Sequence, residues 1–382
     1  MNANKKKVLL FSDWYFPGYK AGGPIQSCRN IVKLMKDEFE FYVFTSDRDL
    51  GEEKPYEGIQ ANQWNSIDGT QVYYAETSKI GIPFIQSLVR NLQPDVIYFN
   101  SMFSLKFTIL PRIALKSMGY NGKLVLAPRG MLHRGALGLK SRKKKIFLTG
   151  FKLLKLHKRV LFHGTDLQEV SDINKVFPGA PVLLANNIPG MAAANLSNVD
   201  KETGAVRLVF LSRINPKKKL DFLLERLKQV SSTGKFLLDV YGVSDDPAYL
   251  TKCQSLAASL PSSVLVNFKG ALPNEQVAAT LSQYHFFVLP SLGENFGHAI
   301  FEALYSGVPV LISDQTPWLN LAERKAGWDI PLAIPSEFEK RLVDMVNMPQ
   351  SDWDQWRQGA KKTAESYIGE SDFKNKYRQL FI

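Results

Sequence analysis

Short apolar runs alternate with longer segments of helical period along the whole chain. In the first half, Val8–Ser12, Glu40–Ser46, Asp95–Phe99, Lys123–Ala127, Val160–His163 and Val182–Ala185 are brief, apolar and often β-branched or aromatic, which predicts strands. Helices are predicted between several of them, over Pro24–Met35, Ile82–Asn91, Leu105–Lys116, Arg142–Lys158 and Leu167–Val176. The polar stretch from Asn187 to Gly204 reads as a linker. Beyond it the rhythm restarts, with strands predicted at Val206–Leu211, Phe236–Tyr241, Val264–Phe268, Phe286–Leu289 and Val308–Ile312. Helices are predicted over Lys218–Val230, Pro247–Ser259, Asn274–Tyr284 and His298–Tyr305, and a charged helical tail runs from Ser351 to Ile382.

Strand–helix alternation implies parallel sheets with helices on both faces. A length of 382 residues exceeds what one ordinary core organises. The expectation is an α/β protein of two doubly wound, Rossmann-like domains facing across a cleft, with ligands at the carboxyl ends of the strands. The expected division is 1–190 and 203–367, with a terminal helix 368–382 packing back on the first domain.

Composition narrows the class. Apolar residues make up 45% and charged residues 22%, as in a soluble globular protein. The basic start, Met1 to Lys7, is followed by too short an apolar run for a signal peptide, and no run nears the ~20 residues of a membrane span. Cys28 and Cys253 are too few and too far apart for a disulfide framework. The expected compartment is the cytoplasm. Net charge is +12, unevenly placed: Val96 to Thr165 holds fifteen Lys and Arg and no acid, which leaves the remainder slightly negative. So one-sided a distribution calls for an anionic partner as readily as for a solvated surface.

The candidate chemistry gathers at loops that follow strands. Gly293-Glu294-Asn295-Phe296-Gly297-His298 precedes a helix carrying Glu302. Two carboxylates thus flank a helix N-terminus, whose free N–H groups favour anions. A nucleotide sugar has hydroxyls at both ends and phosphates between, and it fits that arrangement; a loop acid and an unrelated helix acid fit the bare spacing as well. Arg213 and Lys218 leave the first strand of the second half in Ser212-Arg213-Ile214-Asn215-Pro216-Lys217-Lys218, where they could clamp a diphosphate. Gly22-Gly23-Pro24 follows the first strand, and Gly242 follows a later one; both let backbone approach a ligand. Asp47-Arg48-Asp49 has the spacing of a metal-binding Asp-x-Asp but no supporting ligands, and the five histidines form no ligand spacing, so no metal is expected. His285, opening an apolar strand, reads as structural.

Together these pieces resemble the GT-B retaining glycosyltransferases of family four. Ala127-Pro128-Arg129-Gly130-Met131-Leu132, Thr316-Pro317-Trp318 and Ala326-Gly327-Trp328 are similar to members that build bacterial surface polysaccharides such as O-antigen, capsule or exopolysaccharide. The resemblance implies a metal-independent hexosyltransferase that acts with retention and needs no cofactor beyond its nucleotide-sugar co-substrate, a UDP- or GDP-sugar. It implies that Arg213 and Lys218 hold the phosphates and that Glu294 faces the transferred sugar. It further places Gly22 and Gly23 against the donor's diphosphate or the acceptor side of the cleft, Gly242, Asn295, Phe296 and Gly297 against the donor, and Glu302 on the ribose hydroxyls. Two positions depart from the pattern: Asn100 and Arg129 stand where many relatives carry histidine, and Arg129 becomes a candidate phosphate contact.

The span 140–159 is basic and amphipathic, with Ile146, Phe147, Phe151 and Leu154 as its apolar stripe. It could lie on the anionic inner membrane surface or pack its apolar side on the sheet. The reading is a cytoplasmic, peripherally membrane-bound transferase acting on a lipid-linked glycan, with no nucleic-acid partner. Two alternatives remain at this stage, a nucleotide-sugar epimerase of the same fold and a non-enzymatic binder of anionic polymers.

Overall fold

In the computed structural model, which describes residues 5–133, 141–190 and 199–382, the chain divides into two compact units. The first comprises Met1–Ile188 with Asp372–Ile382, and the second Pro189–Ser371. The second therefore begins before 203 and ends after 367. One cause is Lys201, whose buried ammonium donates to the carbonyls of Glu202, Val346 and Met348 and ties the incoming chain to this unit. Of the expected linker, residues 191–198 lie outside the described residues, as does residue 140 of the basic span.

The first unit is built on an eight-stranded sheet of β1 (Lys7–Phe11), β2 (Glu40–Ser46), β3 (Trp64–Ile67), β4 (Thr70–Ala75), β5 (Val96–Phe99), β6 (Lys123–Leu126), β7 (Leu161–Gly164) and β8 (Val182–Leu184). Their order is β3-β4-β2-β1-β5-β6-β7-β8, parallel throughout except for the β3–β4 hairpin. β1 has neighbours on both sides and helices above and below, so its apolar run is continuous rather than alternating. Val8 and Leu10 enter one core, with Cys28, Ile31 and Met35 of the helix Gly23–Met35. Leu9 and Phe11 enter the other, with Ile85 and Val89 of the helix Ile82–Leu92. Tyr377, Leu380 and Phe381 of the terminal helix Phe373–Phe381 complete the first of these cores.

The second unit holds β9 (Ala205–Leu211), β10 (Lys235–Tyr241), β11 (Val264–Gly270), β12 (Phe286–Leu289), β13 (Val310–Ser313) and β14 (Gly327–Ile330) in the order β11-β10-β9-β12-β13-β14, all parallel. His285, just before β12, is buried: its Nδ1 accepts from the Arg207 N–H at 3.0 Å and its Nε2 meets the Asp200 carbonyl at 3.0 Å. That arrangement needs a neutral ring, and burial holds the imidazole down at about 4.

The basic segment departs from expectation. Its helix spans Ser141–Leu153 rather than reaching Lys158, and the apolar stripe divides. Phe151 is buried and Phe147 packs against the same core, whereas Ile146, Leu153 and Leu154 stay 73%, 76% and 52% exposed. The turn beyond is fixed from beneath. Arg112, itself buried, donates to the carbonyls of Leu156 and Lys158, and Lys116 donates to that of Leu154. With those carbonyls turned inward and satisfied, Lys155 and Lys158 remain exposed beside Leu153 and Leu154.

Candidate active site

In each unit the order of the parallel strands reverses once, and ligands of doubly wound sheets bind at such a switch point. In the second unit the chain proceeds from β9 outward to β10 and β11, then returns to β12 on the other side of β9. The loops after β9 and β12 are therefore neighbours, although Lys218 and Glu294 lie far apart in sequence. The β12 loop is fixed on both flanks: the Leu292 N–H donates to the Lys217 carbonyl at 2.8 Å, and the Glu294 N–H to that of Gln315 at 3.0 Å. Lys218 Nζ meets Glu294 Oε1 at 2.6 Å, with each side chain 12% exposed.

Burial alone would raise the Glu294 carboxyl. The charges of Lys218 and Lys217, with hydrogen bonds from Lys218 and Ser291, outweigh it and hold the group below its ordinary value. Glu294 is thus an anion at neutral pH and no reservoir of protons. Arg213 stands more open and pairs with Asp245 at 3.0 Å. Glu302, half-buried on the helix His298–Tyr305, is the opposite case: burial pushes its carboxyl up to about 8. Its Oε1 lies 3.8 Å from where a Cβ on Gly190 would stand, so the chain entering this unit passes beside it.

The remaining donor-side candidates separate by role. Asn295 and Gly297 sit partly exposed before the helix, with Gly297 in the left-handed conformation that starts it. Phe296 is a core residue: its ring packs among Phe301, Trp318 and Tyr367, and its carbonyl accepts from Trp318 Nε1 at 2.6 Å. Only its backbone N–H could serve a ligand. Gly242 answers an internal need, since a Cβ there would stand 1.9 Å from the Ser212 carbonyl oxygen.

In the first unit the switch point falls between β1 and β5. Gly22 caps the helix that Gly23 and Pro24 begin, and Asn100 follows β5. Asn100 Nδ2 donates to the Pro24 carbonyl at 3.2 Å, and its Oδ1 accepts from Arg129 Nε at 2.8 Å. Gly22, Gly23, Asn100 and Arg129 are thus brought together. Arg129 also donates to Asn187 Oδ1 and to the Tyr98 hydroxyl, so three of its five N–H groups are committed within the unit. Asp47 and Asp49 are engaged by their own loops. Asp47 pairs with Arg48, and Asp49 accepts the backbone N–H groups of Tyr19 and Lys20 at 2.8 and 3.0 Å.

Residues 194–362 match the family model described as glycosyl transferases group 1. That matched stretch lies within the second unit. A GDP-mannose-dependent alpha-mannosyltransferase of Mycobacterium tuberculosis is 30% identical over 138 residues, which is 36% of this chain and 32% of that relative, so the match spans about a third of the relative's length. Among solved structures, HepE of Anabaena in complex with UDP and glucose is similar at TM-score 0.72 and 16% identity, covering 98% of both chains. Sucrose-phosphate synthase of Thermosynechococcus elongatus is similar at TM-score 0.68 and 15% identity, covering 99% of both. The lipopolysaccharide-biosynthesis glycosyltransferase WaaG is similar at TM-score 0.64 and 14% identity, covering 98% of both. The two units together have the GT-B fold of these neighbours.

Sequence reasoning missed the groups behind Arg129. The ring of His163 is fully buried, with Nε2 2.8 Å from the Ala185 carbonyl, so that nitrogen carries the proton. Nδ1 then accepts from the Tyr98 hydroxyl at 2.9 Å, and Tyr98 in turn accepts from Arg129 at 2.8 Å. Burial, reinforced by Arg129, holds His163 at about 3 and neutral. Glu169, also buried, accepts the Gly130 N–H at 2.6 Å and fixes the turn that presents Arg129. Both are positioning residues. The signal for His163 is a lone polar residue inside the strand Leu161–Gly164 that otherwise reads as core, whereas Glu169 stands among the polar residues of the helix Leu167–Val176 and carries no such signal. In the second unit Lys217 was also passed over, though its charge bears on Glu294.

Proposed function

We propose that the chain is a retaining hexosyltransferase that moves a sugar from a UDP- or GDP-sugar to a lipid-linked glycan in bacterial surface-polysaccharide assembly. The observation that carries this reading is the Lys218–Glu294 pair at the switch point of the second unit. Cleaving a glycosyl–phosphate bond develops negative charge on the departing diphosphate and positive charge on the sugar. Lys218 and Arg213 are the fixed cations for the former, and the anionic Glu294 faces the latter. Lys218 and Arg213 bring to the diphosphate the positive charge that a metal would otherwise supply, and Asp47 and Asp49 are engaged elsewhere. The relatives supply the donor class: one is named for dependence on GDP-mannose and another was solved with UDP and glucose. The first unit, with Asn100 and Arg129, is assigned the acceptor side.

Glu302 gives the donor reading a test. In the free protein its carboxyl holds a proton until about pH 8. Ribose hydroxyls bond best to the carboxylate, so donor binding should expel that proton below pH 8. Affinity for UDP-glucose or GDP-mannose, measured by calorimetry, should therefore rise from pH 6 to pH 8 and level off above. Glu302→Gln should flatten the profile and weaken binding several-fold. A wild-type affinity that does not vary with pH, or no binding of either sugar nucleotide, would sink the assignment.

No helix among the described residues is long and apolar enough to cross a membrane. We assign the membrane contact instead to the exposed trio Ile146, Leu153 and Leu154, ringed by exposed Lys143, Lys145, Lys155 and Lys158. Apolar side chains within a basic rim match an anionic bilayer surface. The protein should sediment with phosphatidylglycerol vesicles and not with phosphatidylcholine vesicles. Replacing all three apolar residues by serine should reduce that binding more than tenfold. Equal partition of the wild type and the triple variant would defeat the assignment.

A further inference from the structure

A cavity of about 260 Å³ opens in the first unit between the β3–β4 hairpin and the helix Ile82–Leu92, and nothing above gives it a use. Trp64 and Tyr73 are directly opposite across the hairpin, with ring centroids 5.4 Å apart and planes at 78°. Phe84 adds a third ring, 5.6 Å from Tyr73. Phe84, Ser87, Leu88 and Asn91 follow one helical face at i, i+3, i+4 and i+7, and all four line the cavity. Three half-buried rings thus form the walls, while Ser87 and Asn91 stand exposed at the rim.

The polar groups of this cup are unspent. The Trp64 indole N–H, the Tyr73 and Ser87 hydroxyls and the Asn91 amide bond to no group among the described residues. Aromatic side chains with a polar handle serve ligands that are apolar on one side and wet on the other. A pyranose ring is such a ligand, with C–H groups on its faces and hydroxyls around its edge. The volume lies just below the ~300–1,000 Å³ typical of drug-sized ligands, a size for one ring rather than several. An alkyl chain would fit the rings but would cover the four polar groups without satisfying them, which is costly.

The cup is also separate from the site described above. β3 and β4 form one edge of the sheet, whereas the Gly22 loop and Asn100 follow β1 and β5 further in. We propose that it is an accessory carbohydrate subsite that grips one pyranose residue of the glycan acceptor away from the point of transfer. The proposal rests on the glycosyl-transfer reading for the source of its ligand and on the cup alone for its chemistry.

The test uses the full chain and three probes, methyl α-mannopyranoside, methyl α-glucopyranoside and N-acetylglucosamine, followed by saturation-transfer NMR in the millimolar range. At least one should bind. Trp64→Ala should lose tenfold or more in affinity, and Trp64→Phe, which keeps a ring and guards against misfolding, should retain most of it. The double variant Ser87→Ala/Asn91→Ala, on an exposed helix face, should lose several-fold. Lys218→Ala should bind the same probes as the wild type, since it alters only the donor side. The proposal falls if no probe binds, if Trp64→Ala binds undiminished, or if monomeric dodecylphosphocholine occupies the cup in preference to every sugar. Calorimetry with UDP-glucose and GDP-mannose separates the two readings: donor binding without cup binding overturns only this subsite, and cup binding without donor binding overturns only the transferase.

Discussion

Lys218→Ala should lower the turnover of sugar transfer by about 10²–10³-fold at saturating donor, the usual cost of removing one fixed electrostatic contact from a transition state. The ammonium sits 2.6 Å from Glu294 in a largely water-excluded site, where a charge acts more strongly than on an open surface. Glu294→Ala should cost a similar factor, because the lysine that it positions would lose its orientation. If the two act as a unit, the double variant should be little worse than the poorer single one, since losses within a coupled pair do not add. Initial rates for the four proteins, with donor in excess, complete the cycle. Full multiplication of the two losses would show that the residues act independently. Wild-type turnover in either single variant would remove the pair from the mechanism.

Gly327→Ala should be among the most destabilising single changes available in the second unit. Gly327 opens β14 opposite Val310 of β13, with φ at +144°. A Cβ there would stand 2.0 Å from the Val310 carbonyl oxygen and 2.7 Å from its nitrogen, so the two strands would have to part. Strain of that kind costs roughly 3 kcal/mol or more, a large share of the ~5–15 kcal/mol that holds a domain folded. Gly369→Ala is the matching control. It lies in the helix Gln350–Glu370 with open space around it, and alanine there should be neutral or stabilising by up to about 1 kcal/mol. Urea titration of both variants measures the contrast, and equal midpoints would contradict the account of β14.

The contrast between β1 and the hairpin explains which parts of the fold were legible. Val8-Leu9-Leu10-Phe11 announces itself because both of its faces are buried, so every position is apolar. β3 and β4 escaped notice because the hairpin is half-buried and Asn65, Ser66, Thr70 and Gln71 dilute its alternation. Asp68-Gly69, both at positive φ, is nonetheless a turn signal that the sequence carries openly. β14 was hidden by its glycine and aspartate. The basic helix shows another limit: Ile146 and Phe147 are adjacent, and periodicity alone cannot say which of two overlapping apolar faces meets the core. The candidate residues were visible singly, through residue type and loop position. Their pairing was not, because only the strand order β10-β9-β12 sets Lys218 against Glu294, and only folding shows how much of Arg129 is already engaged.

The placement of Tyr377, Leu380 and Phe381 in a core otherwise made by residues up to Ile188 has a consequence for biogenesis. On the ribosome, the domain translated earliest must wait for residues 372–382 before that hydrophobic interior can close, while Pro189–Ser371 has its full complement sooner. The nascent amino-terminal half would meanwhile carry an unsealed apolar surface, a natural target for holding chaperones. A fragment ending at Ile188 should accordingly be far less soluble than the same fragment supplied with the missing helix as a separate peptide.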